Sequence, residues 1–216
     1  MDDTGAVRFK RHLACDLLLM SGGFTPSVHL FSQSRGKLVW SDELQAFLPG
    51  APAEAQRSVG ACRGVYLLQQ VLEDGAAAVA PRRYTVSGAR NSAVSGWLGA
   101  LPLPVDGQGA KAFVDFQHDV TTKDIQLATR EGFQSIEHIK RFTTTGMATD
   151  QGKTSNLNAL AIAAERLGKP PAEIGLTTFR MPFTPTSFGS FAGTARGDLF
   201  DPVRKTPIHP WAQERG

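Results

Sequence analysis

The feature that most constrains this chain is the collapse of its hydrophobic pattern between Arg82 and Gly109. There Gly, Ser, Ala and Pro replace any helix or strand period, and the run Leu101-Pro102-Leu103-Pro104 cannot continue a helix. The 216 residues are therefore expected as two organised regions joined by a linker or wrapped extension over 82–110, a length that permits one large domain or two small ones. Hydrophobic residues at 41% and charged residues at 20% provide enough apolar material for a buried core, unlike a disordered tail.

In the first region, 1–81, the apolar run Leu17-Leu18-Leu19-Met20 stops at Ser21-Gly22-Gly23, so Ala14 to Met20 is expected as a buried strand. A short helix is expected over Ser27 to Ser34, and strands over Leu38 to Trp40 and Arg57 to Val59. The second of these enters the glycine-bearing turn Gly60-Ala61-Cys62-Arg63-Gly64. A helix then runs from about Val65 to Val79, with Tyr66, Val71 and Leu72 among its apolar positions, until Pro81 stops it.

The third segment, 111–175, reads as a small helical domain. An extended stretch from Ala112 to Phe116 leads to Thr121, a helix N-cap with Asp124 three residues on, and the helix runs through Arg130 to Gly132. Ser135 with Glu137 opens a second helix to Phe142. Thr154 or Ser155 caps a third that passes Leu160, Ile162 and Ala163 to Leu167, with Gly168 as its stop. From 176 to 216, Pro182, Pro185, Pro202, Pro207 and Pro210 alternate with Phe179, Phe183, Phe188, Phe191 and Phe200, which reads as an extended connector whose rings need an outside surface.

Charge and cysteine usage narrow the function classes. The net charge of +3 is mild, and apart from Arg8, Lys10, Arg11 and the pair Arg82, Arg83 the basic residues are scattered, without the dense stripe and aromatic platforms of nucleic-acid binding. No apolar run approaches the ~20 residues needed to span a bilayer. The first twenty residues hold a short apolar run interrupted by Asp16 and no small-residue cleavage site. Two cysteines, Cys15 and Cys62, build no disulfide framework, so a reduced cytoplasmic setting is expected.

Three stretches carry a resemblance. CDLLLMSGGFTPSVHLFSQSRGKLVW with GACRGVYLLQQVLEDGAAAVA resembles the end of a pyridine-nucleotide-type dinucleotide-binding domain, with Gly22, Gly23, Thr25, Pro26, Gly60 and Gly64 at the matching positions. Glycines let a backbone approach a phosphate, and a helix N-terminus favours its charge; the same glycines also serve simply as turn-makers. No G-x-G-x-x-G occurs, so the main pyrophosphate turn is missing and dinucleotide binding by this chain alone is not expected.

The stretch KAFVDFQHDVTTKDIQLATREGFQSIEHIKRFTTTGMATDQGKTSNLNALAIAAE resembles the small helical domain of sarcosine oxidase alpha subunits, itself similar to the [2Fe-2S] module of bacterioferritin-associated ferredoxins. Setting Val120-Thr121 and Gly146-Met147 on the landmarks of that module puts Asp115, Gln117, Asp150 and Ser155 where four thiolates would stand. None is a thiolate, so no cluster or other metal is expected. The last stretch, LTTFRMPFTPTSFGSFAGTARGDLFDPVRKTPIHPWA, resembles the connector to a folate-binding domain similar to glycine-cleavage T-protein, with Pro210 where family members carry a polar residue.

The resemblance implies a fold of mixed α+β class: a partial dinucleotide-binding α/β region, then a small, clusterless, ferredoxin-like helical domain with extended arms. It implies an internal part of an alpha subunit acting with a beta subunit and with gamma and delta subunits, in oxidative demethylation of sarcosine to glycine. NAD on the alpha subunit, FAD, a covalently held FMN on the beta subunit and tetrahydrofolate as one-carbon acceptor belong to that assembly, with hydrogen peroxide as co-product. The chain alone is expected to be inactive.

Within the chain, Thr143-Thr144-Thr145-Gly146 and Lys153-Thr154-Ser155-Asn156 flank one turn with hydroxyls, an amide and a cation. Thr144, Thr145, Lys153, Thr154, Ser155 and Asn156 are therefore candidates for a surface facing FMN and the beta subunit, ordinary helix capping being the alternative. His118 and His138 beside Asp119 and Glu137 invite a general-base or metal role but lack partners at ligand spacing, and read as surface or interface residues. No serine lies in a G-x-S-x-G elbow, and no catalytic residue is assigned. Two other readings stay open: a non-catalytic partner-binding module, and a subunit of an opine dehydrogenase or hydrogen cyanide synthase-type oxidoreductase.

Overall fold

A computed structural model describes residues 13–17, 19, 24–88, 111–181, 184–195, 197 and 204–216. The described elements are mixed α and β. In chain order they are α1 (His29–Gln33), β1 (Leu38–Ser41), β2 (Ala46–Pro49), a 3-10 turn (Gly60–Arg63), α2 (Leu68–Ala77), β3 (Phe113–Asp115) and β4 (Val120–Thr121). There follow α3 (Thr122–Arg130), α4 (Ile136–Thr143), α5 (Asn156–Leu167), α6 (Pro171–Ile174), α7 (Phe188–Phe191) and α8 (His209–Arg215). Met1–Phe183 and Thr184–Gly216 form separate compact units.

The main core belongs to α3, α4 and α5. Ile125, Ala128, Ile136, Ile139, Ala159, Ile162 and Ala163 fill it, Val114 and Val120 close it from the β3–β4 hairpin, and Phe133 and Ile174 pack at its margin. These residues recur at helical spacing, i, i+3 and i+4, so each helix turns one apolar stripe inward. The alanines of α5 let α3 approach closely. The ends follow local chemistry: the Asp124 carboxylate accepts both the N–H and the hydroxyl of Thr121 at 2.7 Å within a capping box. Gly168 closes α5 in the left-handed region at φ 61°.

In the first region three expected elements differ. Among the described residues the strands form only two antiparallel pairs, β1 with β2 and β3 with β4, and no parallel sheet. The strand expected at Ala14 to Met20 is not formed over the described part of that stretch; Leu17 and Leu19 are exposed, because no neighbouring strand pairs with the segment. Arg57 to Val59 is likewise not a strand. Val59 is extended, with φ −138°, yet pairs with no strand among the described residues, and Arg57 donates to the Ala77 carbonyl at 3.2 Å. The helix expected from Val65 to Val79 is shortened to Leu68–Ala77, since Gly64 adopts φ 87° and the next three residues only lead into the helix.

The connector is also less extended than its prolines suggest. Thr177 and Phe179 are buried within the first unit, and Phe179 meets the His29 ring at 3.8 Å between centroids. In the second unit Pro210 lies in the first turn of α8, where a missing N–H costs no helical hydrogen bond, so the departure from the polar residue of the resembled family makes a helix start.

Candidate functional site

The β3–β4 hairpin, the loop after α4 and the loop before α5 converge on one buried carboxylate. Asp115 is 3% exposed. Its Oδ1 accepts the N–H groups of Gln117 at 2.9 Å and His118 at 3.2 Å, and its Oδ2 accepts the N–H of Gly146 at 2.7 Å and lies 3.5 Å from the Ser155 hydroxyl. Gln117 Oε1 accepts the Thr149 hydroxyl at 3.0 Å. Asp150 Oδ1 accepts the N–H of Gly152 at 3.0 Å, and its Oδ2 the hydroxyl of Thr154 at 2.8 Å.

The four positions aligned with thiolates are thus occupied by hydrogen-bonding side chains that tie three loops together. Their acceptor oxygens are directed at N–H and O–H donors, which is the opposite of the lone-pair array a cation requires. Among the described residues no group of three or more His, Cys, Asp or Glu could hold a metal ion. These residues do not fit an iron–sulfur cluster.

The six residues proposed to face FMN divide by burial. Thr144 and Thr154 are exposed and Lys153 is half-buried, whereas Thr145, Ser155 and Asn156 are interior. Ser155 stands at the N-cap of α5 but makes no side-chain capping bond; its hydroxyl turns inward to Asp115, which corrects the capping alternative for this residue. Thr154 bonds Asp150 and does not cap α5 either. Asn156 donates to the Thr177 hydroxyl at 2.9 Å, and its amide fills the space above Gly146 and Gly152. The Asn156 Oδ1 and Thr145 Oγ1 atoms are buried without a hydrogen-bond partner.

At the start of α5 a small cleft is lined by members of both groups of sequence candidates. Thr25, Pro26, Val28, His29 and Phe47 line it together with Gly152, Lys153, Asn156, Leu157, Leu176 and Phe179. Burial, assisted by the nearby Lys153 charge and opposed by Asp150, lowers the His29 pKa to about 4, so the cleft carries a neutral imidazole.

Gly60 and Gly64 lie elsewhere. The N–H of Gly60 donates to Asp74 Oδ2 at 2.6 Å, and Arg63 clamps the same carboxylate through two nitrogens at 2.8 and 3.0 Å. The place where a phosphate would meet this turn is therefore filled by the chain's own anion. Gly22 and Gly23 lie outside the described residues.

His118 and His138 are drawn into structural contacts. The His118 ring donates from Nδ1 to the Thr144 carbonyl at 3.0 Å, and His138 packs edge-on to Phe133. Burial opposes the Glu137 charge, but the Thr178 N–H with Lys140 and Arg141 outweighs it and holds the carboxyl below its ordinary range. No described helix is long and apolar enough to cross a membrane.

Comparison with known proteins finds similar sequences and a similar fold. The family described as the sarcosine oxidase A3 domain matches residues 109–195, the stretch that holds Asp115, Gly146 and Asn156. The sarcosine oxidase subunit alpha of Rhizobium meliloti (strain 1021) is 45% identical over 212 residues, covering 94% of this chain. The chain is similar to sarcosine oxidase alpha subunits over most of its own length. The counterpart from Corynebacterium sp. (strain P-1) is 42% identical over 218 residues, covering 93% of the chain. The chain spans 22% of the length of either relative. Among solved structures, L-proline dehydrogenase from P. horikoshii shares the fold over 76% of this chain and 37% of its own, with a TM-score of 0.53 at 17% identity.

Proposed function

We propose that this chain is the part of a sarcosine oxidase alpha subunit that presents a polar turn to a flavin-bearing beta subunit, and that it is inactive outside that assembly. Thr144, Lys153 and Thr154 are the exposed or half-exposed members of the turn and face the FMN side; Thr25 and Pro26 belong to the dinucleotide side. In the whole enzyme, sarcosine is oxidised to glycine, the one-carbon unit passes to tetrahydrofolate, and hydrogen peroxide forms. FAD and FMN supply the redox chemistry when bound, and NAD and tetrahydrofolate are held by the alpha subunit, all in the cytoplasm, with gamma and delta subunits completing the tetramer.

The observation that supports this reading is that members of both candidate groups, Thr25 and Pro26 with Lys153 and Asn156, line one cleft. In this reading the residues of this chain bind and orient. Lys153 supplies a positive charge suited to an anionic cofactor group, while apolar Val28, Phe47 and Phe179 exclude water beside the neutral His29. Replacing Lys153 by Ala in the assembled enzyme is expected to lower flavin content or to shift the gel-filtration profile toward free subunits. Unchanged flavin and an unchanged profile would refute the reading.

A further inference from the structure

One hairpin loop reaches the candidate turn twice, by different chemistry. From the end of β3 the Asp115 carboxylate accepts the Gly146 N–H at 2.7 Å, and from the loop that follows the His118 ring donates to the Thr144 carbonyl at 3.0 Å. The loop is itself locked, since the same carboxylate accepts the N–H groups of Gln117 and His118. A buried acceptor at this depth would be costly if unpaired, and with three N–H donors it becomes a rigid anchor.

What the anchor holds is a backbone under tension. Thr144 has φ 63° and Gly146 has φ 68°, so the turn departs twice from the conformations favoured by side-chain-bearing residues, and Thr144 is β-branched. Such geometry persists only where the surroundings over-determine it. Here the surroundings are Asp115 and His118, one holding the N–H of the glycine and the other the carbonyl of the strained threonine.

We infer that Asp115 and His118 are positioning residues: through Gly146 and Thr144 they fix the turn that carries Thr144 and that lies, at Gly146, against Gly152 and Asn156, an inference that rests on the reading of that turn as the flavin-facing surface. The Asp115 oxygens and the His118 Nδ1 are spent on the backbone, so these atoms hold the turn in place. The carboxylate therefore acts where a cluster thiolate would stand, as a loop tie.

The test uses hydrogen exchange on the full 216-residue chain together with flavin content of the assembled enzyme. Asp115→Asn keeps one oxygen for Gln117 and His118 but sets an amide donor against the Gly146 N–H. Exchange at Gly146 is expected to rise at least tenfold, with the core amides of α3 and α5 unchanged, and the assembly is expected to lose flavin. His118→Ala, at an exposed position that leaves the core intact, is expected to raise exchange in the 143–146 turn severalfold and to lose a smaller share of flavin. Ser155→Ala removes only the 3.5 Å contact and is expected to leave Gly146 exchange within twofold.

Unchanged exchange at Gly146 in both Asp115→Asn and His118→Ala overturns the inference. So does a loss of flavin in Lys153→Ala that neither hairpin variant shares. Faster Gly146 exchange with flavin unaffected in all three overturns the functional reading of the turn, and upholds the conformational role of the hairpin.

Discussion

The side-chain amide of Asn156 donates to the hydroxyl of Thr177 at 2.9 Å, joining the first turn of α5 to the segment that follows α6, and both residues are buried. The same amide lies over Gly146 and Gly152, which leave it room only because they lack a Cβ. The loops on either side of the candidate site are thus spaced by one asparagine.

Gly152→Ala tests that spacing. A Cβ at this position would collide with the Asn156 amide, and the backbone φ of 74° already disfavours any side chain. Strain of about 1–2 kcal/mol from the left-handed conformation adds to the cost of displacing a buried amide. Denaturant unfolding is expected to show a loss of at least ~2 kcal/mol, whereas Gly132→Ala, with open space around it, should carry the backbone strain alone. Equal losses at both positions would remove the packing argument.

Much of this arrangement was legible in the sequence, and the limits have physical causes. In the 111–175 region α3 announces itself through Thr121 with Asp124 and α5 through Gly168, because caps and apolar spacing are local signals, while Ser135 stands at the N-cap of α4 without a side-chain capping bond. The expected strand through Leu17 and Leu19 failed because a strand is defined by its partner, and the described residues provide none. The Asp115–Gly146 bond spans thirty-one positions and carries no sequence period. Gly60 announced a turn, but only the structure shows that Asp74, fourteen residues on, supplies its anion.

His29 should give the chain a pH-dependent stability. Its pKa is lowered from 6.5 to about 4 in the folded protein, chiefly by burial, so the unfolded chain takes up the proton first as pH falls. The contribution of neutral His29 is fully present above about pH 6.5 and is lost progressively between 6.5 and 4. Thermal midpoints measured across that window should fall with pH in the native chain, and the slope should flatten in His29→Phe, which keeps a ring against Phe179. A slope unaltered by the substitution would show that another group titrates.

Asp74 titrates in a lower window. Bonds from Arg63 first, and from the Gly60 N–H next, lower its pKa from 3.8 to about 2. The folded state therefore holds the carboxylate more strongly than the unfolded one. Its stabilising effect is present above about pH 3.8 and disappears as pH falls toward 2. Exchange of the Gly60 amide, slow at neutral pH once corrected for intrinsic rates, should lose protection through this range. Asp74→Ala, which removes the acceptor, should show the unprotected behaviour at every pH, and retained protection in that variant would rule out the carboxylate as the anchor.

Thr144→Gly should separate stability from function. Threonine at φ 63° bears a left-handed penalty of about 1–2 kcal/mol that glycine does not, while glycine gives back about 0.5–1 kcal/mol through the freedom of the unfolded chain. The threonine hydroxyl is bonded only to the carbonyl of its neighbour Thr143, at 2.6 Å on an exposed surface, so little is lost with it. The balance favours the variant by roughly 0.5–1 kcal/mol, a rise of about 1–4 °C in Tm for a domain of this size. If the strained residue is kept for the surface it presents, the same variant should bind flavin or the beta subunit less well in the assembled enzyme. Calorimetry and flavin content measured on one preparation decide the point: a lower Tm would remove the strain, and a higher Tm with undiminished flavin would leave the strain without a function.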